Sequence, residues 1–185
     1  MTDLRTKRTD RAIQQAFIQL VNQEGFQHVT VTDIATEAMI NRQTFYKHYV
    51  DKYALAETMI KAFADEYAKA LEKRLTINHA NLSFEDLFTQ LSPELQELLG
   101  ERERVIALLT IQTNTGTLEQ ALWKVASSYF KKIIPREISP LEQTVLSSLS
   151  ISVLTYVMHH NHVLRPEEIH EILVDILTLF PMKTH

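Results

Sequence analysis

Three helix starts follow one another between Val29 and Leu55, and each uses the same chemistry. A hydrophobe precedes each capping residue and pairs with another five positions on: Val29 with Ile34 around Thr30, Ile40 with Phe45 around Asn41, Val50 with Leu55 around Asp51. The Thr, Asn and Asp side chains accept hydrogen bonds from the unpaired amides of a first helical turn, and the apolar pairs staple the chain's entry angle. Asp33 completes a capping box at Thr30. The middle segment, Arg42 to Tyr49, is too short to stand as a helix in water by itself. It is nevertheless dense in side chains able to hydrogen-bond outward, as expected of a short helix held by its neighbours and offered to a partner.

Composition narrows the class. A chain of 185 residues suits one domain or two small ones sharing a core, and 45% hydrophobic with 23% charged residues is the balance of a soluble globular protein. Three glycines and five prolines leave little material for tight β-turns, so an all-α fold is expected. The absence of cysteine excludes disulfides and thiolate chemistry and fits a reducing cytoplasm. MTDLRTKRTDR carries no apolar signal core, and no run nears the roughly 18 apolar residues of a membrane span, so a cytoplasmic location is expected.

The net charge of −4 is unevenly spread. Up to Ala56, seven basic residues stand against six acidic, whereas beyond it twelve stand against seventeen. The early basic residues gather at Arg5, Lys7, Arg8 and Arg11 and again at Arg42, Lys47 and Lys52, which permits a local positive surface.

In chain order, Ile13, Phe17, Leu20 and Val21 predict an amphipathic helix from about Thr9 to Glu24, ended by Gly25 and preceded by a polar arm, Arg5-Thr6-Lys7-Arg8. A helix from Val31 to about Ala38, a turn at Met39-Ile40 and a helix from Arg42 have the spacing of a helix-turn-helix. Ile34, Ala35, Ala38, Ile40 and Phe45 form its inward face, leaving Thr32, Arg42, Gln43, Thr44, Lys47 and His48 to point outward. A long helix from Lys52 to about Leu75 joins this module to the rest, and any signal between the two is expected to pass through it. Ser83 with Asp86 and then Ser92-Pro93 start further helix up to Gly100. Glu101 to Thr113 is hydrophobic nearly all round and therefore central; Thr117 with Gln120 opens the next helix, which Pro135 stops. Ser139-Pro140-Leu141-Glu142 launches a long helix to about His162, and a last one runs from Pro166 to Pro181, about nine in all.

An outward face of Arg, Gln, Thr and Lys on a short helix matches base edges and phosphates: Arg bonds guanine at two points, Gln adenine, and Lys a phosphate. Any surface helix carries polar residues; the three matched caps favour the DNA reading. His159, His160 and His162, with Glu167, Glu168 and His170 nearby, offer imidazoles for a transition metal. His159 and His160 diverge by about 100° on a helix, however, and cations at a helix C-terminus are ordinary, so no metal or other cofactor is expected. There is no Gly-rich phosphate loop, nucleophile elbow or H-E-x-x-H, and no enzymatic activity is expected.

Thr30-Val31-Thr32-Asp33-Ile34-Ala35, Asn41-Arg42-Gln43-Thr44-Phe45-Tyr46-Lys47-His48-Tyr49 and Asp51-Lys52 together resemble the DNA-binding domain of the TetR/AcrR family of bacterial transcriptional regulators, over roughly Lys7 to Leu55. The resemblance implies a helix-turn-helix domain over 1–51, with Lys7 and Arg8 in its arm and Asn41 capping its reading helix, and a helical regulatory and dimerisation domain over 52–185. It implies that Thr30 and Lys52 hold phosphates, that Thr32, Arg42, Gln43, Thr44 and Lys47 approach bases or nearby backbone, and that Tyr46 and His48 contact phosphate. It also implies a homodimer through the last two helices, with Leu149, Val153, Tyr156, Ile169, Leu173, Ile176, Leu177 and Phe180 as interface candidates, on a palindromic operator. A small-molecule effector of unknown identity would occupy a pocket drawn from Phe88, Thr110, Gln112, Trp123, Tyr129 and Phe130 and release a repressor from DNA. One departure stands out: the family often has glycine in the turn where this chain has Met39. The alternatives are an architectural or division-related DNA binder on the same scaffold without ligand response, or a helical metal-binding protein.

Overall fold

Apolar side chains at Ile13, Ala16, Phe17, Leu20 and Val21 recur every three or four residues, and one face of α1 (Thr2–Glu24) is buried along them. The computed structural model describes residues 2–75, 100–134, 136–162 and 164–179. Among the described residues the other helices are α2 (Val31–Glu37), α3 (Arg42–His48), α4 (Lys52–Leu75), α5 (Arg102–Leu109), α6 (Leu118–Ile133), α7 (Pro140–His160) and α8 (Pro166–Leu179). The fold is all-α, an N-terminal helix-turn-helix unit followed by a helical C-terminal part. None of the described helices is long and apolar enough to cross a membrane.

Several elements differ from the sequence reading. The arm around Lys7 and Arg8 is the first part of α1 itself, since neither Gly nor Pro interrupts the chain before Gly25. The helix expected through Thr113 ends at Leu109 and gives way to a minimal antiparallel hairpin pairing Gln112 with Thr117 and Thr113 with Gly116. Here the Thr113 hydroxyl donates to the Gly116 carbonyl at 3.0 Å, and Gly116 sits at φ 122, a conformation that L side chains rarely adopt. Val50, expected to staple α4, is 80% exposed, while Leu55 is fully buried, so that pair is not made. The expected helix starts at Ser83 and Ser92-Pro93 lie outside the described residues.

Packing joins the two parts by more than α4. One connected core runs from Phe17 and Phe45 through Leu55 and Phe63 on α4 to Leu108, Leu122 and Leu154. Removing a buried phenylalanine such as Phe17 or Phe63 would cost about 3–5 kcal/mol. α4 packs on α6 and α6 on α7, while α1 packs directly on α5. The first turn of α5 reaches three elements. Asn22 of α1 donates to the Glu103 carbonyl at 3.1 Å, Arg102 donates to the Met158 and His159 carbonyls of α7 at 2.7 and 3.2 Å, and Arg104 pairs with Glu66 of α4 at 3.2 Å. α4 is thus the continuous link between head and core, but α1 against α5 is a second route.

Candidate nucleic-acid interface

The outward helix is built by its caps. At α2, the Thr30 hydroxyl accepts from the Asp33 amide at 3.3 Å and donates to the Asp33 carboxylate at 2.6 Å, which also accepts from the Thr30 amide at 2.9 Å. These donors hold the Asp33 carboxyl below its ordinary pKa. The staple is in place, with Val29 and Ile34 both buried. α2 ends in a Schellman turn: the Ile40 amide donates to the Ala35 carbonyl at 2.9 Å and the Met39 amide to the Thr36 carbonyl at 3.0 Å. Met39 takes the left-handed position that glycine usually fills, at φ 53, with its side chain 92% exposed. A residue with a Cβ adopts that conformation at a cost of roughly 1–2 kcal/mol.

The next helix starts at once. Asn41 Oδ1 accepts from the Thr44 amide at 2.7 Å and from its hydroxyl at 2.9 Å. Phe45 is fully buried and anchors α3 to the core, with half-buried Ile40 packed alongside. On the opposite side Arg42, Gln43, Tyr46 and Lys47 are exposed and Thr44 is half-buried. Thr32 on α2 and Lys7 and Arg8 on α1 are exposed as well. This is a capped helix of about two turns presenting a guanidinium, an amide, a phenol and an ammonium to solvent.

Two residues expected to face DNA are turned elsewhere. His48 lies with Nδ1 3.6 Å from Asp10 and its side chain only 13% exposed, because it follows Phe45 by three positions and so lies on the side of α3 that meets α1. Lys52 places Nζ 2.8, 3.0 and 2.8 Å from the carbonyls of Phe26, Gln27 and Val29. Burial pulls this ammonium below the ordinary lysine pKa, while the three carbonyls replace its water.

The network around His48 was not foreseen. The Tyr49 hydroxyl donates to Asp10 at 2.5 Å, and Gln14 donates to Asp10 at 3.0 Å and to the Tyr49 oxygen at 3.1 Å. Burial, reinforced by Asp10, pushes the Tyr49 phenol up to about 12. Asp10 is the one acid in the basic stretch from Arg5 to Arg11, a signal available in the sequence; its partners His48 and Tyr49 stand 38 and 39 positions away.

The expected pocket residues are not gathered in one place. Trp123 lines a groove of about 640 Å³ between α6 and α7, together with Lys124, Ser148, Ser152 and Thr155. Tyr129 and Phe130 are core residues whose rings meet edge-on at 5.8 Å. Tyr129 lies six positions past Trp123, about 240° round the helix, on another face. Thr110 caps α5, with its hydroxyl donating to the Ala107 carbonyl at 2.8 Å; Gln112 is exposed in the hairpin; Phe88 lies outside the described residues.

Of the interface candidates, Leu149 and Val153 are half-buried and Tyr156 is exposed. Phe180 and the side chains of Ile169, Leu173, Ile176 and Leu177 lie outside the described residues. The exposed stripe of α7 is instead Leu141, Val145, Ser148, Ser152 and Tyr156. His160 stacks on Tyr156 at 4.1 Å and His162 lies 3.3 Å from Glu168. Among the described residues no three His, Asp or Glu side chains are grouped to hold a metal.

Comparison with known proteins matches residues 13–59 to the family described as bacterial regulatory proteins, tetR family. An uncharacterized HTH-type transcriptional regulator of Bacillus subtilis, YxbF, is 40% identical over 60 residues, covering 32% of this chain and 16% of that protein. The HTH-type transcriptional regulator TcmR of Streptomyces glaucescens is 34% identical over 65 residues, covering 35% of this chain and 28% of its own. The matches therefore span well under half of either relative. Over the whole chain the fold is similar to that of the fatty acid degradation regulator FadR from Bacillus halodurans. The TM-score is 0.63 at 14% identity, covering 96% of this chain and 97% of that one. A transcriptional regulator from Aquifex aeolicus gives a TM-score of 0.60 at 18% identity, covering 92% and 98%.

Proposed function

We propose that this chain, which belongs to the TetR family of bacterial DNA-binding transcriptional regulators, acts as a homodimeric repressor that reads a palindromic operator and is released from it by a small-molecule effector. The observation that carries the reading is α3, capped by Asn41, with its exposed Arg42, Gln43, Tyr46 and Lys47. Arg42 and Gln43 are its base readers, by the two-point bonds each makes to a purine edge. Thr32, Thr44, Tyr46, Lys47, Lys7 and Arg8 bind backbone or neighbouring bases, and Thr30 and Asn41 act by fixing the two helix starts.

The head comprises residues 1–51 and the regulatory and dimerisation part 52–185. Dimerisation is supported by the exposed face of α7, where Leu141, Val145 and Tyr156 flank the small Ser148 and Ser152, so a second helix can approach closely. Two heads then sit about 34 Å apart, one turn of DNA. The groove beside Trp123 shares Ser148 and Ser152 with that face, so an effector of mixed apolar and hydrogen-bonding character bound there would act by altering how the two copies pack. Such a protein works in the bacterial cytoplasm.

Selection of bound duplexes from a random library tests this reading. An enriched inverted repeat with half-sites one helical turn apart supports the dimeric reader; recovery of no preferred sequence contradicts it.

A further inference from the structure

An ammonium has three donors, and in Lys52 all three are spent on one loop. Gly25, at φ 81, ends α1, and the chain then turns through Phe26 and Gln27 to Val29, the residue before the Thr30 cap of α2. The carbonyls of Phe26, Gln27 and Val29 converge on Nζ at 2.8, 3.0 and 2.8 Å. Nζ also lies 4.8 Å from the centre of the Phe26 ring and 5.6 Å from that of Tyr53. Phe26 is itself buried, edge-on to Phe17 of α1 at 6.1 Å and to Tyr53 of α4 at 5.3 Å. To reach a phosphate, this side chain would have to give up three charge-assisted hydrogen bonds and two ring faces for one new contact.

We infer that Lys52 is a positioning residue: it clamps the start of α4 to the α1–α2 loop, so that α4 and the cap of α2 move together, and it is not one of the phosphate contacts. The inference rests on the DNA-binding reading for its consequence, since a displacement of α4 then reaches α2 and α3 without slack.

The test uses the full chain with Lys52→Met and Lys52→Arg, measured well below the unfolding transition. In the free protein, amide hydrogen exchange over residues 26–34 should accelerate in both variants while that of α6 stays at the wild-type rate; unchanged exchange at 26–34 overturns the clamp with no reference to DNA. On the selected operator, both variants should lose affinity by about tenfold while the slope of log K against log salt stays at the wild-type value. Arginine keeps the charge, but its planar fork cannot converge on three carbonyls, so it should fail to rescue. A slope reduced by about one in Lys52→Met with rescue by Lys52→Arg is the signature of a phosphate contact and overturns the proposal, as does unchanged affinity in both variants. Absence of salt-dependent duplex binding by the wild type counts instead against the DNA-binding reading, leaving the exchange result to decide the clamp.

Discussion

Asp33 shows how much one half-buried side chain fixes. Its carboxylate takes the Thr30 hydroxyl and amide, and those donors lower its pKa from the ordinary 3.8. The folded state therefore binds its proton less readily than the unfolded chain does. The stabilisation is present above the ordinary carboxylate range and is lost as pH falls through the lowered folded value. Denaturant unfolding of wild type and Asp33→Asn should differ at pH 5, and the difference should shrink at pH 3; a difference constant with pH contradicts the cap's charge dependence. This residue and its partner were legible because capping is local chemistry over three positions. The contacts of Lys52 were not legible for the opposite reason: its three carbonyl partners lie 23 to 26 positions away, and only the folded loop brings them together.

At the scale of elements, the apolar spacing and the caps located α2, α3, α4, α6 and α7 closely, since each is set by a few neighbouring residues. The hairpin at Gln112–Thr117 was missed because it depends on one glycine at positive φ and a run of threonine hydroxyls, which look like a plain loop. The seat of α3 was missed as well. Phe45 fixes its middle, but its C-terminal end is held by Asp10 through Tyr49 and His48. Asp10→Ala should leave the part-buried Tyr49 hydroxyl without its acceptor and cost about 1–3 kcal/mol in equilibrium unfolding. A change within a few tenths of a kcal/mol would mean that the network does not hold the helix.

Across the whole molecule, the helical class was readable from few glycines and prolines and long periodic stretches, whereas the contacts between parts were not. The direct packing of α1 on α5, with Asn22 on the Glu103 carbonyl and Arg102 on the end of α7, gives the head a second tie to the core besides α4. The same α7 carries the stripe proposed to meet a second copy. Val145, 56% exposed there, would bury a charge at the interface as Val145→Glu. Sedimentation at micromolar concentration should then show a 21.4 kDa monomer where the wild type shows a dimer. A wild type that is itself monomeric rules out the dimer.

The reading of DNA by α3 is judged by carrying wild type and the Arg42→Ala and Gln43→Ala variants through selection from one random duplex library. Each variant should lose preference at the bases its side chain reads, at roughly 1–3 kcal/mol per bidentate contact, and keep the rest of the operator. Both variants returning the wild-type operator with undiminished preference would contradict the assignment of α3 as the reader.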